Sequence, residues 1–310
     1  MQIKLFFNGL MLAALCVQLL SPLCAQEQVL AGSRPNIILV MTDDQGMGDL
    51  SCMGNPIVRT PHIDRFYQQS TRFADFHVSP TCAPTRAALM SGRRPFEVGV
   101  THTVLQRERM ALAVVTFPQA LHAAGYHTGL FGKWHLGDED AYLPQNRGFD
   151  EVLMHGAGGI GQYIYGDFEP NTENTYFDNV LLHNDSIVRT QGFCTDIFFE
   201  AALAWIHEQE SEEDAPYFAY ISLNAPHGPF IAPESYKKRF LELGYDEKTA
   251  GRYGMIENID DNFGRMMEQL AAWQARLEGL HAADFLSETE LHALEDLVAD
   301  FIELRTAREL

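Results

Sequence analysis

Four short apolar runs in this chain each stop abruptly at a cluster of polar or reactive side chains. The runs are Asn36–Thr42, Phe73–Val78, His127–Phe131 and Tyr217–Leu223. Runs of this length that alternate with helical patterns are typical of an α/β fold, with a largely parallel, mixed sheet flanked by helices. Because ligands bind at the carboxyl ends of parallel strands, the pattern predicts that the polar clusters form a single crevice.

Helical patterns separate and follow these runs. They cover Pro61–Ser70, Phe117–Ala124, Thr195–Gln209 and Tyr253–Trp273. The third of these is clearly amphipathic, with apolar residues at helical spacing.

The first run ends at two adjacent carboxylates, Asp43 and Asp44. Neighbouring anions repel each other unless a cation joins them, and hard divalent ions prefer oxygen ligands. The alternative is a structural turn in which one aspartate caps the chain ahead of Gly46 and Gly48. The pair is therefore a candidate metal site or a capped turn.

Lys133 and His135 follow the third run, and His227 follows the fourth, in the loop APHGP. We expect Lys133 and His135 to alternate across an extended segment, which would turn both side chains to the same side. A lysine can bind an anionic group, and a histidine can transfer protons near neutral pH. The alternative is a surface lysine beside histidines whose ring nitrogens are satisfied by structural hydrogen bonds.

The stretch SPTCAPTRAALMSGR sets Cys82 at the predicted start of a short helix. Pro84 suits a first helical turn and Gly92 suits the end of the helix. The free amides and the dipole of a helix N-terminus favour negative charge, so a thiol there is activated. With Arg86 one turn on, this chemistry suits an anionic ester. A phosphatase loop would need a longer, glycine-containing span between the cysteine and the arginine.

The formal net charge of −20 disfavours nucleic acid as a partner. The acidity is not uniform, and positive charge gathers around the Cys82 segment. Between Ser79 and Trp134 the bases Arg86, Arg93, Arg94, Arg107, Arg109 and Lys133 outnumber the acids Glu97 and Glu108. A small anionic substrate fits such a locally basic region, although solvated surface arginines would give the same pattern.

Residues 1–25 are predicted to be a signal peptide, with a basic start, an apolar middle and small residues near Ala25. The apolar run is short for a membrane span, so export to the periplasm or secretion is expected, followed by a linker over 26–34. A retained anchor is the alternative. Cleavage would leave Cys52, Cys82 and Cys194, an odd number in which a Cys52–Cys194 pair is conceivable.

Six motifs then carry a resemblance to a known family. They are DDQG, TPHIDRF, CAPTRAALMSGR, GKWHLG, RGFD and APHGPF, in order between Pro35 and Leu270. The chain resembles a type I, formylglycine-dependent sulfatase of the alkaline-phosphatase-like superfamily, with an N-terminal catalytic domain over residues 35–273.

The resemblance implies that a maturation enzyme converts Cys82 to formylglycine, an aldehyde that hydrates to a diol. One hydroxyl attacks the sulfur of a sulfated small molecule or glycan, and the other later expels sulfate. Asp43, Asp44 and residue 82 match the ligands of a divalent metal, calcium in preference to magnesium. Arg86 matches the residue that steadies the diol, Lys133 the sulfate-binding residue, His135 the base of the second step and His227 the group that protonates the leaving oxygen.

The C-terminal part departs from the family pattern. Relatives continue after the helix Tyr253–Trp273 into a strand ending in D-N-G or D-H-G, which completes the metal site, and then supply another lysine. Residues 274–310 contain neither and instead predict a helical tail, with a capping box at Ser287 and Glu290. We therefore expect a fold that is incomplete at the C-terminus, a truncated or frameshifted product, and weak or absent activity.

Other interpretations of this departure stay open. The tail could belong to a genuine variant and cover the sheet edge or recruit a partner. The chain could also be a non-catalytic relative that binds sulfated glycans, or a phosphate or phosphonate ester hydrolase of the same superfamily.

Overall fold

The computed structural model describes residues 32–160, 168, 175–211 and 215–277. Contacts divide the chain into two units, Met1–Pro35 and Asn36–Leu310, and the second contains the elements of the fold. The predicted signal peptide and the tail beyond Leu277 lie outside the described residues. Within those residues, every helix is too short or too polar to cross a bilayer.

A six-stranded sheet organises the second unit. The strands are β1 (Ile37–Met41), β2 (His127–Lys133), β3 (Glu151–His155), β4 (Val180–His183), β5 (Ser186–Arg189) and β6 (Tyr217–Ser222). Their order is β1-β6-β2-β3-β4-β5, in which the first four are parallel and the last two form an antiparallel hairpin. This confirms the predicted α/β fold with a largely parallel, mixed sheet.

Six α-helices accompany the strands within the described ranges. They are α1 (Pro61–Gln69), α2 (Cys82–Ser91), α3 (Phe117–Ala123), α4 (Cys194–Ser211), α5 (Glu234–Glu242) and α6 (Glu247–Leu277). Short 3-10 turns lie at Met47–Asp49, Ser51–Met53, Pro95–Val98, Leu105–Arg107, Asp140–Tyr142 and Pro144–Arg147. All the helices expected from the sequence in this part are present, and α6 begins earlier and ends later than predicted.

Side chains alternate between the two faces of the sheet, and each face has its own core. Phe131 and Ile221 join the core on the side of α4 and α6, where the Phe131 ring lies 5.8 Å from that of Trp205. Leu130 and Tyr220 join the core on the side of α2. Because both faces are covered, the ends of the strands are the places where the sheet can present polar groups to a ligand.

The prediction of a strand over Phe73–Val78 is wrong. The segment has no regular structure, and its apolar side chains Phe73, Phe76 and Val78 are 77%, 71% and 63% exposed. A strand needs a neighbour for its backbone hydrogen bonds, and none of the six strands pairs with this segment. Cys82 therefore follows an irregular segment.

Candidate active site

Arg86 ties together the elements that meet at the carboxyl end of the sheet. From α2 its guanidinium donates to the carbonyl oxygens of Lys133 (2.9 Å) and Leu223 (3.1 Å) and to the Ser222 hydroxyl. The side chain is fully buried. One cation thus joins the ends of β2 and β6 to the first turns of α2, as the predicted convergence of strand ends requires.

Asp43, just after β1, pairs with two cations inside this junction. Its carboxylate accepts a hydrogen bond from Lys133 and lies 3.7 Å from an Arg86 nitrogen. Burial by itself would raise the pKa of Asp43, but the charges of Arg86 and Lys133 bring it below its usual value. The site therefore contains an ionised carboxylate between two positive groups.

Cys82 is the first residue of α2, and Thr81 precedes it as the N-cap. Gly92 ends the helix in a left-handed conformation (φ 64°), as its position suggested. Burial alone would raise the pKa of the half-buried thiol, but interaction with His135 and the charge of Lys133 lower it below the ordinary value. The structure therefore places Cys82 at the start of α2, where the sequence predicted it, next to groups that lower the pKa of its thiol.

His135 is buried beside Cys82, but the expectation of an extended segment from Lys133 is wrong. Lys133 ends β2, and His135 has a left-handed backbone (φ 59°). Its Nε2 lies 2.9 Å from the Thr103 carbonyl oxygen and 3.3 Å from the Glu108 carboxylate. Burial keeps the pKa of His135 below its usual value, so the ring is neutral at physiological pH.

Gly132 lies one residue before the end of β2 and in close contact with β6. Its φ is +119°, and a Cβ atom added there would lie 2.0 Å from the Ser222 carbonyl oxygen. Only a residue without a side chain lets β2 and β6 approach so closely just before Lys133.

Asp44 and His227 lie at the mouth of the site. The Asp44 side chain is 58% exposed, and its Oδ2 is 3.7 Å from Nε2 of His227. Nδ1 of His227 lies 2.6 Å from the Gly228 carbonyl oxygen, and the Tyr176 hydroxyl donates to the His227 carbonyl oxygen. A proton on Nδ1 leaves Nε2 of His227 available to a ligand.

The described residues fit a divalent metal only in part. The groups of three acidic, histidine or cysteine ligands within 4.8 Å of one another do not include Asp43, Asp44 and Cys82. The carboxylates of Asp43 and Asp44 are hard oxygen donors at one strand end, but calcium takes six to eight oxygens. By themselves the described residues therefore supply too few oxygens at this strand end for a divalent ion.

In a separate cluster, possible ligand atoms of His62, Asp260 and Asp261 do lie within 4.8 Å of one another. Asp260 accepts hydrogen bonds from the backbone amides of His62 and Ile63, and Asp261 accepts one from Tyr236. These bonds attach α6 to the first turn of α1 and to α5, which accounts for the cluster structurally.

Sequence reasoning missed two buried groups near the site. His155 ends β3 opposite Lys133, its Nε2 has no partner among the described residues, and burial lowers its pKa to about 3. Glu108 is buried, and burial raises its pKa to about 7. The apolar run VLM before His155 was the available signal for β3. Glu108 looked like one charge among exposed arginines.

The cysteines left open by the sequence are free. Cys52 is half-buried, and Cys194 is buried at the start of α4. The Cys52–Cys194 pair is absent from the structure.

Comparison with known proteins gives a consistent result. Residues 35–276 match the family model described as Sulfatase. The chain is 30% identical to human N-acetylgalactosamine-6-sulfatase over 271 residues, covering 81% of this chain and 48% of that protein. It is 35% identical to human arylsulfatase A over 225 residues, covering 66% of this chain and 44% of that protein. It is 29% identical to an arylsulfatase of Klebsiella aerogenes, covering 81% of this chain and 58% of that protein.

A solved structure described as Ps i-CgsB in complex with k-i-k-neocarrahexaose superposes with a TM-score of 0.68 at 27% identity, covering 78% of this chain and 56% of that one. The chain spans about half the length of the curated relatives that it matches.

Proposed function

The chain belongs to the sulfatase family, and on that premise we propose that its crevice takes part in the hydrolysis of a sulfate ester. The observation that carries the proposal is the buried junction of Arg86, Lys133 and Asp43 beside residue 82. Two fixed cations at the end of the sheet can stabilise the charge of a sulfuryl group without reorganising.

Each side chain takes a proposed role from its motif. Lys133 binds sulfate oxygens, and Arg86 fixes residue 82 at the start of α2. His135, neutral and buried, accepts a proton from the group at residue 82. His227, at the mouth with its Nε2 3.7 Å from the Asp44 carboxylate, protonates the leaving oxygen.

Formylglycine made from Cys82 would supply the attacking hydroxyl, and a divalent ion would add positive charge. Asp43, Asp44 and residue 82 would hold this ion, for which calcium is the proposed species. The described residues provide too few oxygens for a full shell, so ligands beyond them would have to complete it.

The substrate class and the cellular context are also proposals. The locally basic Cys82 segment suits a sulfated small molecule or glycan, and Ps i-CgsB, which has a similar fold, was solved in complex with k-i-k-neocarrahexaose. Export, with a maturation enzyme acting on Cys82 and cleavage near Ala25, is the setting that the sequence favours.

Co-expression with a formylglycine-generating enzyme tests the proposal. We expect mass spectrometry to show the aldehyde at residue 82. Because the described residues do not complete a metal shell, we expect only weak hydrolysis in calcium-containing buffer, of 4-nitrophenyl sulfate in preference to 4-nitrophenyl phosphate. Cys82→Ala should abolish release of nitrophenol, and the matched Cys52→Ala should retain it.

Three outcomes would contradict the proposal. An unmodified thiol in a competent host would exclude formylglycine chemistry. Faster phosphate hydrolysis would indicate a phosphoesterase. Saturable binding of sulfated sugars without sulfate release would indicate a binding protein.

A further inference from the structure

β1 lies at one edge of the sheet, with β6 on one side and no strand of the described chain on the other. In a parallel pair, the N–H and C=O groups of every second residue bond to the same neighbouring strand. The amide of Leu223, just past β6, donates to the Met41 carbonyl oxygen (2.8 Å), so Met41 is one of the residues that face β6. The backbone groups of Ile38 and Val40 therefore point away from β6, along the open edge.

The side chains of β1 are apolar but poorly covered. β1 reads IILVM, and all five residues are only partly buried, whereas every residue of β6 is buried. Ile38 and Val40 pack against the core beside α4 and α6, and Leu39 packs against the other core. An apolar strand with an open edge tends to pair with another chain, and folded proteins prevent this by covering the edge with a helix or loop.

A cavity of about 350 Å³ lies beside the start of β1. Four of the residues that line it are large and mostly apolar: Ile38, Tyr217, Leu270 and Trp273. The indole N–H of Trp273 is buried and has no acceptor in the part of the chain that the structure describes. Since Ile38 belongs both to the cavity wall and to the open edge, the two form one uncovered apolar surface.

The segment that follows α6 starts at this surface. α6 ends at Leu277, one helical turn after Trp273, and residues 278–310 continue from there. Gly279 allows the chain to reverse its direction. From Gly279 to Ser287 an extended chain can span about 26 Å. This reach exceeds the length of β1, whose five residues rise about 17 Å.

The sequence of this tail predicts a surface that matches the open edge. After the capping box at Ser287 and Glu290, apolar residues recur at helical spacing on one face: Leu291, Leu294, Val298, Phe301 and Ile302. A helix over residues 288–304 is about 25 Å long, enough to lie along all of β1. A helix with one apolar face is stable only when that face is buried against another element.

We propose that residues 278–310 fold back over the open edge of β1 and bury this apolar face against Ile38, Val40 and the cavity beside Trp273. The tail is attached at the cavity, so it meets the edge at a higher effective concentration than a free partner does. It thereby prevents β1 from pairing with β1 of a second copy. The inference does not depend on sulfate ester hydrolysis.

Hydrogen exchange of the full chain, followed by peptide mass spectrometry, tests this cover. We expect the amides of β1 and of residues 287–304 to be protected together. In Leu294→Asp, exchange should become about tenfold faster or more in both segments, because burial of a leucine favours the closed state by at least that factor. Ala293→Asp is the matched control. It adds the same charge away from the apolar face, and exchange should change in neither segment.

The central strand β6 reports on folding in the same samples. If β6 loses its protection, Leu294→Asp has unfolded the domain, and the milder Leu294→Ala replaces it with the same expected pattern. Free exchange of residues 287–304 in the wild-type chain would overturn the inference. So would a variant that loosens the tail while β1 keeps its protection.

Light scattering separates the tail from a second copy as the occupant of the edge. A wild-type monomer in which β1 is protected supports the inference. A wild-type dimer whose β1 loses protection on dilution would assign the edge to a second copy and overturn it. Leu294→Asp should self-associate more than Ala293→Asp does, because an uncovered strand edge can pair with another.

Discussion

Gly132→Ala is expected to disturb the sheet and the site together. The added Cβ would lie 2.0 Å from the Ser222 carbonyl oxygen and 3.3 Å from the Phe198 ring. Gly132 is in register with Ser222 between β2 and β6, so the clash forces apart the two strands whose ends Arg86 joins. The neighbouring Lys133 would move with the backbone.

The expected cost has two parts. Gly132 has a positive φ, and forcing a residue with a Cβ into such a backbone conformation costs about 1–2 kcal/mol. The clash adds about 1–3 kcal/mol, the usual cost of forcing extra atoms into a packed core. Together they predict a loss of roughly 4 kcal/mol in the free energy of unfolding.

Urea denaturation followed by the fluorescence of the buried tryptophans measures this loss. Gly244→Ala is the matched control, because Gly244 has a φ of +87° and a Cβ added there would meet no atom within 4 Å, so only the strain applies. We expect that control to lose about 1 kcal/mol. If the two variants lose the same free energy within about 0.5 kcal/mol, the steric argument is refuted.

Three further predictions concern charge and capping. Asp43→Asn should lower the free energy of unfolding at pH 7 by about 3 kcal/mol, since it leaves two buried cations without their anion. The fold lowers the pKa of Asp43, so the stabilisation that its charge gives is present above about pH 4 and disappears in acid. A urea midpoint unchanged at pH 7 would contradict it. Burial raises the pKa of Asp138 from its ordinary value of 3.8 to about 7. Between these two pH values the ionising carboxyl destabilises the fold more and more as the pH rises. Asp138→Asn should therefore flatten the pH dependence of the unfolding free energy in this range. An unchanged slope would exclude this effect. Thr116→Ala should lower the free energy of unfolding by about 1 kcal/mol, because it removes the capping box with Gln119 at the start of α3. Thr101→Ala, at an exposed loop position, is the control. Equal urea midpoints for the two variants would argue against a stabilising cap.

The parts of the fold that the sequence could predict are those decided by local pattern. β1, β2 and β6 come from short apolar runs that contrast with the polar residues around them, and α4 is a long amphipathic helix. β3 was missed because polar residues, Glu151 and His155, stand at both of its ends. β4 and β5 are four residues each, too short for the alternation of side chains to be distinctive.

The errors arose where tertiary contacts decide. Phe73–Val78 has strand composition, but a strand forms only with a neighbour, and the sequence does not show which neighbours exist. The left-handed backbone of His135 follows the end of β2, and the residue types around it do not announce that turn. Glu108 acquires its importance from burial beside His135, and a single charge in a basic segment does not reveal that burial.

The anchoring of Arg86 also sets an order of events. Pro84 and Arg86 of the CAPTR segment are buried in the folded chain, with the guanidinium enclosed by the ends of β2 and β6. Any enzyme that recognises Cys82 by reading these side chains must therefore meet them before α2 packs on the sheet. If an enzyme of that kind modifies residue 82, modification and completion of the fold would compete, and the folding rate of the newly made chain would limit how much of it is modified.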